Sequence, residues 1–168
     1  MKRSFFLLAG LALTYQALAQ VPPSSAAVPP VKLSELPSEF RKAPPYIQNQ
    51  VCAELMASMY RLSLDLYRGS GQAKVKDAAL LVGTRAMLFV KANASLDENE
   101  KSQAKRIAER IEGGAAEATP AMKPFFFCEQ RVQRWLSEGV VTLTDYQTTE
   151  QEVREAIAAS PQRTTRRP

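Results

Sequence analysis

The sequence predicts an all-α domain, a bundle of four to five helices joined by one disulfide. Residues 45–68 carry apolar side chains around most of a helical wheel and leave a polar arc only about 80° wide, as expected for a central helix. Three later segments also have apolar residues at helical spacing. Cys52 and Cys128 are the only cysteines, and an even number indicates a structural disulfide in an exported protein.

Residues 1–19 have the pattern of a secretory signal peptide. A basic start precedes a short apolar run at 5–13, and Ala17-Leu18-Ala19 fits the cleavage pattern. The run is shorter than the roughly 20 residues that cross a bilayer. We therefore expect a bacterial protein that is periplasmic or secreted, with a mature chain that begins at Gln20.

The helical domain is predicted to comprise residues 45–159. The segments on its two sides are predicted to be disordered. Residues 20–44 contain six prolines among Ser, Ala and Val, which is typical of a linker with at most a helical turn near 38–42. Residues 160–168 form a basic tail. We expect a solvated end rather than contact with an anionic membrane surface through its three arginines, Arg163, Arg166 and Arg167.

The central helix is predicted to begin at Pro44-Pro45 and to end at Gly69-Ser70-Gly71. A second helix over about 73–92 is apolar almost all round, so it requires neighbours on several sides or a partner protein. Arg85 lies within its apolar arc, and its guanidinium must either extend to solvent, the commoner outcome, or pair with an acid. The acids on helices expected nearby are Glu54, Asp65 and Glu129.

The third helix is predicted to be a surface helix. Ser95-Leu96-Asp97-Glu98 fits a capping box, and Gly113-Gly114 follows the last charged turn. The fourth helix is expected to begin at Thr119-Pro120 or at Pro124 and to end at Gly139. It places Cys128 on its apolar face, as the central helix places Cys52, which is consistent with a bridge between them.

The segment after the fourth helix has the composition of a strand at 140–144. Since the sequence offers no second strand for pairing, we expect an extended loop there. A short last helix is predicted near 149–159, with Thr148 or Thr149 as its N-cap.

Several apolar side chains lie away from the expected core faces of their helices. Phe126 and Phe127 project about 100° and 200° away from Phe125, so the three rings cannot enter one core together. The outward rings are either covered by the preceding loop or linker, or they belong to a surface that binds a partner. The candidates for such a partner surface are Phe126, Phe127, Leu80, Met87 and Leu88.

The chemical inventory argues against an enzyme. The sequence has no histidine, which is the commonest general base and metal ligand. Ser102-Gln103-Ala104-Lys105 fits an S-x-x-K pattern, but its companion motifs are missing. Glu54 and Glu129 could act as a glycosidase pair only if they converged in a cleft. We therefore predict no catalytic residue, no cofactor and no metal site.

The charge distribution argues against nucleic-acid binding. The formal net charge is +5, but two of the basic residues lie in the signal peptide and three in the tail. The remaining 17 basic residues balance the 17 acidic residues, so the domain lacks the basic excess that nucleic acid requires.

The sequence therefore favours a small exported protein that acts by binding another periplasmic or secreted protein. An inhibitor or an immunity-type protein is one concrete form of this expectation. Alternatives are a homo-oligomeric structural module, such as a homodimer closed by the same apolar residues, and an envelope-stress chaperone. An enzyme that uses Glu54 and Glu129 ranks last.

Overall fold

The computed structural model describes residues 30–93, 95–113 and 118–160, and every regular element in these ranges is helical. The all-α class and the disulfide are confirmed. A 3-10 turn, Leu33–Glu35, comes first. The six α-helices are α1 (Ser38–Lys42), α2 (Pro45–Ser70), α3 (Ala73–Ala92), α4 (Glu98–Gly113), α5 (Ala118–Ser137) and α6 (Leu143–Ala158).

The long helix α2 lies at the centre and contacts α1, α3, α4 and α5, whereas α6 packs on α3. Its first turn begins at Pro45, where a missing N–H costs no hydrogen bond. Its end is set by Gly71, which has a left-handed φ of 66° and donates its N–H to the carbonyl of Tyr67. Both predicted ends of this helix are confirmed.

The disulfide joins Cys52 of α2 to Cys128 of α5, with a Cα–Cα distance of 5.5 Å. Both cysteines are fully buried in the main core. The bridged cysteines are 76 residues apart in sequence, and the bridge fixes the central helix α2 to α5. The predicted pairing and its location between two buried helix faces are confirmed.

A close approach of three helices occurs at Gly83 of α3. A Cβ atom built there would lie 2.7 Å from Val153 Cγ1 of α6 and 2.8 Å from Tyr60 Cδ2 of α2. Real Cβ atoms do not approach other atoms so closely, so only glycine fits without a shift of its neighbours.

The segment before α2 corrects the predicted linker. Residues 31–43, which we call the N-terminal strap, place Leu36, Phe40 and Ala43 in the main core. These residues follow a helical spacing that the surrounding prolines obscure in the sequence. The prediction of disorder is therefore wrong for this part of residues 20–44, although the expected turn at 38–42 is present as α1. The predicted signal peptide at 1–19, residues 20–29 and residues 161–168 lie outside the described residues.

Two helix starts also differ from prediction. At α4 the capping pair is Asp97 and Glu100, whose carboxylates accept hydrogen bonds from each other's backbone N–H groups at 2.8 and 3.0 Å. At α6 the N-cap is Thr142, with Asp145 as its reciprocal partner. The helix therefore includes residues predicted to form an extended loop, and Thr149 lies buried within it.

Candidate binding surfaces

The predicted partner residues have different environments in the fold. Leu88 is only 3% exposed and belongs to the main core, so its assignment to a partner surface is wrong. Leu88 is covered because α3 has helices packed on several sides. Of the two possibilities given for this helix, neighbours within the fold or a partner protein, the first applies to Leu88. Leu80 is half-buried beside the smaller core between α2, α3 and α6. Met87 is exposed to solvent.

Phe126 and Phe127 are half-buried and pack against the main core. The Phe127 ring meets Phe40 of the strap edge-on, with 5.6 Å between ring centroids. The Phe126 ring meets Phe125 in a similar geometry at 6.2 Å. The preceding linker thus contacts Phe127, as one of the two alternatives proposed, and only part of each ring remains available to a partner.

Arg131 lies beside Phe127 on α5 and connects this helix to the start of α2. Its guanidinium carbon is 4.9 Å from the centroid of the Phe127 ring, a cation–π geometry. Its nitrogens donate to Asn49 Oδ1 at 2.6 Å and to Gln48 Oε1 at 2.9 Å. Burial lowers the pKa of Arg131, and the nearby charge of Arg134 adds to this effect. No carboxylate of the described residues lies within ion-pair distance of this guanidinium.

The buried Arg85 of α3 forms an ion pair with Glu129 of α5. Of the two outcomes considered for Arg85, pairing with an acid is the one observed. Burial raises the pKa of Glu129, while the charge of Arg85 and a hydrogen bond from Gln133 oppose the rise. Burial also raises the pKa of Tyr146 on α6, while the nearby charge of Arg85 lowers this pKa and the charge of Glu129 raises it.

The two glutamates considered for glycosidase chemistry are engaged in separate contacts. Glu129 is held by Arg85, and Glu54 accepts a hydrogen bond from Gln50 Nε2 at 3.2 Å on its own helix. Within the described ranges, no group of three His, Cys, Asp or Glu side chains is arranged to hold a metal ion. None of the described helices has the length and apolarity needed to cross a membrane.

The connection from α5 to α6, together with the first residue of α6, carries two exposed aliphatic side chains that the sequence analysis did not select. Val140 is 64% exposed and Leu143 is 67% exposed. Their signal was present in the sequence as branched apolar residues with no strand to pair with. We call Val140 and Leu143 together the apolar turn.

The backbone of the apolar turn is fixed by hydrogen bonds on both sides. Gly139 has a left-handed φ of 71°, and the N–H groups of Val140 and Val141 both donate to the carbonyl of Trp135. On the other side, the capping box of Thr142 and Asp145 starts α6. The two aliphatic side chains are therefore held out into solvent by an ordered turn.

Comparison with known proteins finds no matching family model, no similar curated protein and no similar solved structure.

Proposed function

We propose that this protein is a small exported helical protein that acts by binding another periplasmic or secreted protein. An inhibitor or immunity-type protein that occupies a hydrolytic enzyme is the concrete form we favour. The observation that carries the proposal is the apolar turn, which presents Val140 and Leu143 to solvent from an ordered backbone.

A fixed turn suits this role for a thermodynamic reason. Association costs free energy wherever loops and side chains must be ordered, and a segment that is already ordered avoids most of that cost. Aliphatic side chains that are two-thirds exposed contribute apolar area only when a partner covers them. Met87 of α3, one of the residues selected from the sequence, supplies a further exposed apolar side chain.

The proposal that the protein is exported is supported by the signal pattern of residues 1–19 and by the disulfide. A buried disulfide is typical of oxidising compartments and rare in the cytosol. The bridge also stiffens the scaffold on which the apolar turn is mounted, because it ties α5 to the central helix.

A pair of matched variants tests the proposal. The double variant Val140→Ser, Leu143→Ser should lose the partner that the native chain captures stoichiometrically from a periplasmic extract. Two aliphatic side chains that each contribute about 1.5 kcal/mol give an affinity loss of roughly 100-fold. Leu33→Ser, which changes an exposed leucine of the strap, should retain the partner.

The same chains, studied by light scattering and by capture, separate the alternatives. Light scattering of the purified native chain over a range of concentrations detects the homodimer, which the double variant would convert to a monomer and Leu33→Ser would not. Capture of many unrelated unfolded proteins, equally by native chain and variant, would instead favour the chaperone. Retention of a single partner by the double variant would contradict the assignment of the apolar turn.

A further inference from the structure

A surface cleft of about 510 Å³ lies between α1 and α4, on a different part of the molecule from the apolar turn. Its rim carries three cationic side chains, Lys42, Arg106 and Arg110, and one acid, Glu39. Ala43 and Ile107 contribute an apolar floor between them. The cleft therefore combines an excess of positive charge with a small apolar surface.

The single acid of the cleft does not neutralise its cations. The carboxylate of Glu39 binds Arg110 across the cleft. Arg106 contacts only the hydroxyl of Ser102, at 3.2 Å, and Lys42 forms no ion pair within the described part of the chain. Two of the three cations thus lack a counter-charge, although basic and acidic residues balance between residues 20 and 160.

The arrangement on α4 concentrates positive charge on the side that faces α1. Arg106 and Arg110 are four residues apart and lie one above the other on the helix, where like charges repel. Glu109, the acid between them in sequence, lies on another side of α4 and faces Lys105 at 4.0 Å. An anion in the cleft would relieve the repulsion between the two arginines.

We infer that this cleft binds a ligand that carries an oxyanion, a carboxylate or a phosphate, next to an apolar group. Guanidinium groups bind both oxyanions through paired hydrogen bonds. Glu39 already places a carboxylate on Arg110, which shows the contact that a ligand would make. Ala43 and Ile107 would contact the apolar part of the ligand. The inference is independent of the apolar turn and of the proposed function.

Two compounds serve as probes with the full chain, phenyl phosphate and benzoate, and inorganic phosphate is the reference without an apolar group. Backbone amide NMR titration at low salt, about 20 mM, limits the screening of these exposed charges. We expect saturable shifts confined to residues 39–43 and 103–110. Either aromatic probe should bind more tightly than inorganic phosphate, and the stronger of the two identifies the oxyanion.

Two variants should change the affinity in opposite directions. Arg106→Gln removes an unpaired cation and should weaken binding about two- to fivefold, within the range for one exposed charge. Glu39→Gln removes the competing carboxylate and frees Arg110, so it should tighten binding by a similar factor. Arg61→Gln, which removes an exposed cation outside the cleft, should leave the affinity unchanged.

Three results would overturn the inference. These are shifts that do not saturate, an equal effect of Arg61→Gln and Arg106→Gln, or a loss of affinity in Glu39→Gln. Because the substituted side chains are exposed, thermal melts should show that every variant is folded as the native chain is.

Discussion

Replacing Arg85 with methionine tests whether the ion pair between α3 and α5 is a structural element of the core. Methionine keeps an unbranched apolar stem in place of the arginine, but it leaves the carboxylate of Glu129 buried without a partner. Breaking a buried pair in this way costs about 3–5 kcal/mol. The side chains of Arg85 and Glu129 are 11% and 21% exposed to solvent. Because both are still in partial contact with water, we expect a cost at the lower end of that range.

We therefore expect Arg85→Met to lower the free energy of unfolding by about 3 kcal/mol at pH 7. For a domain of this size, that loss corresponds to a fall in Tm of roughly 10 °C. Urea unfolding followed by circular dichroism measures the change. The double variant Arg85→Met, Glu129→Leu removes both charges and should recover most of the loss, because no unpaired ion is then left in the core.

The same variant should make stability more dependent on pH. Burial already raises the pKa of Glu129 in the folded chain, and the charge of Arg85 limits that rise. Without Arg85 the folded pKa rises further above the unfolded value, so the folded state holds its proton more tightly. This contribution to stability is complete below the unfolded pKa and is lost as the pH rises through the folded pKa. The deficit of the variant should therefore be smaller at pH 4 than at pH 7.5.

An exposed ion pair on the same helix is the control. Lys91 and Glu152 join α3 to α6, but their side chains are 45% and 48% exposed. Lys91→Met also removes a hydrogen bond to Thr149 Oγ1 at 3.0 Å, so it should cost about 1–2 kcal/mol, and it should not steepen the pH dependence. If Arg85→Met cost no more than this control, or if the double variant were less stable than the single one, the structural role of the pair would be refuted.

Three further perturbations test the fold. Replacing Cys52 and Cys128 together with alanine should cost up to about 4.5 kcal/mol in urea unfolding, the chain-entropy value for a loop of this length, and an unchanged midpoint would contradict a stabilising bridge. Gly83→Ala should lower stability by about 1–3 kcal/mol through overpacking, whereas Gly69→Ala, with no atom near its added Cβ, should be neutral or slightly stabilising. Phe40→Ala should cost about 3–5 kcal/mol, and a cost below 1 kcal/mol would show that the strap is dispensable.

The ends of the long helices and the disulfide could be predicted from residues that lie close to them in sequence. The bounds of α2 and α3 followed from Pro45, from Gly71 and from apolar spacing, since a missing N–H and a left-handed φ act within one turn. The disulfide also followed from the sequence, because only two cysteines were available and both fell on apolar helix faces. These features needed no knowledge of how the helices pack.

The features that the sequence did not predict depend on contacts between distant segments. Phe40 is buried because its strap meets Phe127, which lies far along the chain, and composition alone indicates only a proline-rich linker. Arg85 selects Glu129 rather than the other nearby acids because of how α3 and α5 pack. The start of α6 was placed too late because Thr142 and Thr149 are both competent caps, and the buried position of Thr149 is a tertiary effect.

The residues predicted for a partner surface also separate according to tertiary contacts that the sequence does not reveal. Leu88 and Met87 are neighbours in sequence on an apolar helix, yet one is buried and the other exposed. Only the packing of the other helices separates them. Val140 and Leu143 were not selected because their strand-like composition indicated only an extended loop, and the exposure of its side chains depends on how the helices around it pack.

Photo-crosslinking from Leu143 tests most directly whether the protein acts by binding another protein. A photoreactive phenylalanine analogue placed at this position of the full chain reports any molecule that covers the apolar turn in living cells. A matched chain carries the analogue at the exposed Arg61 of α2. Our account predicts one defined adduct with a second exported protein from Leu143 and none from Arg61. The absence of an adduct from Leu143, or the same adducts from both positions, would contradict it.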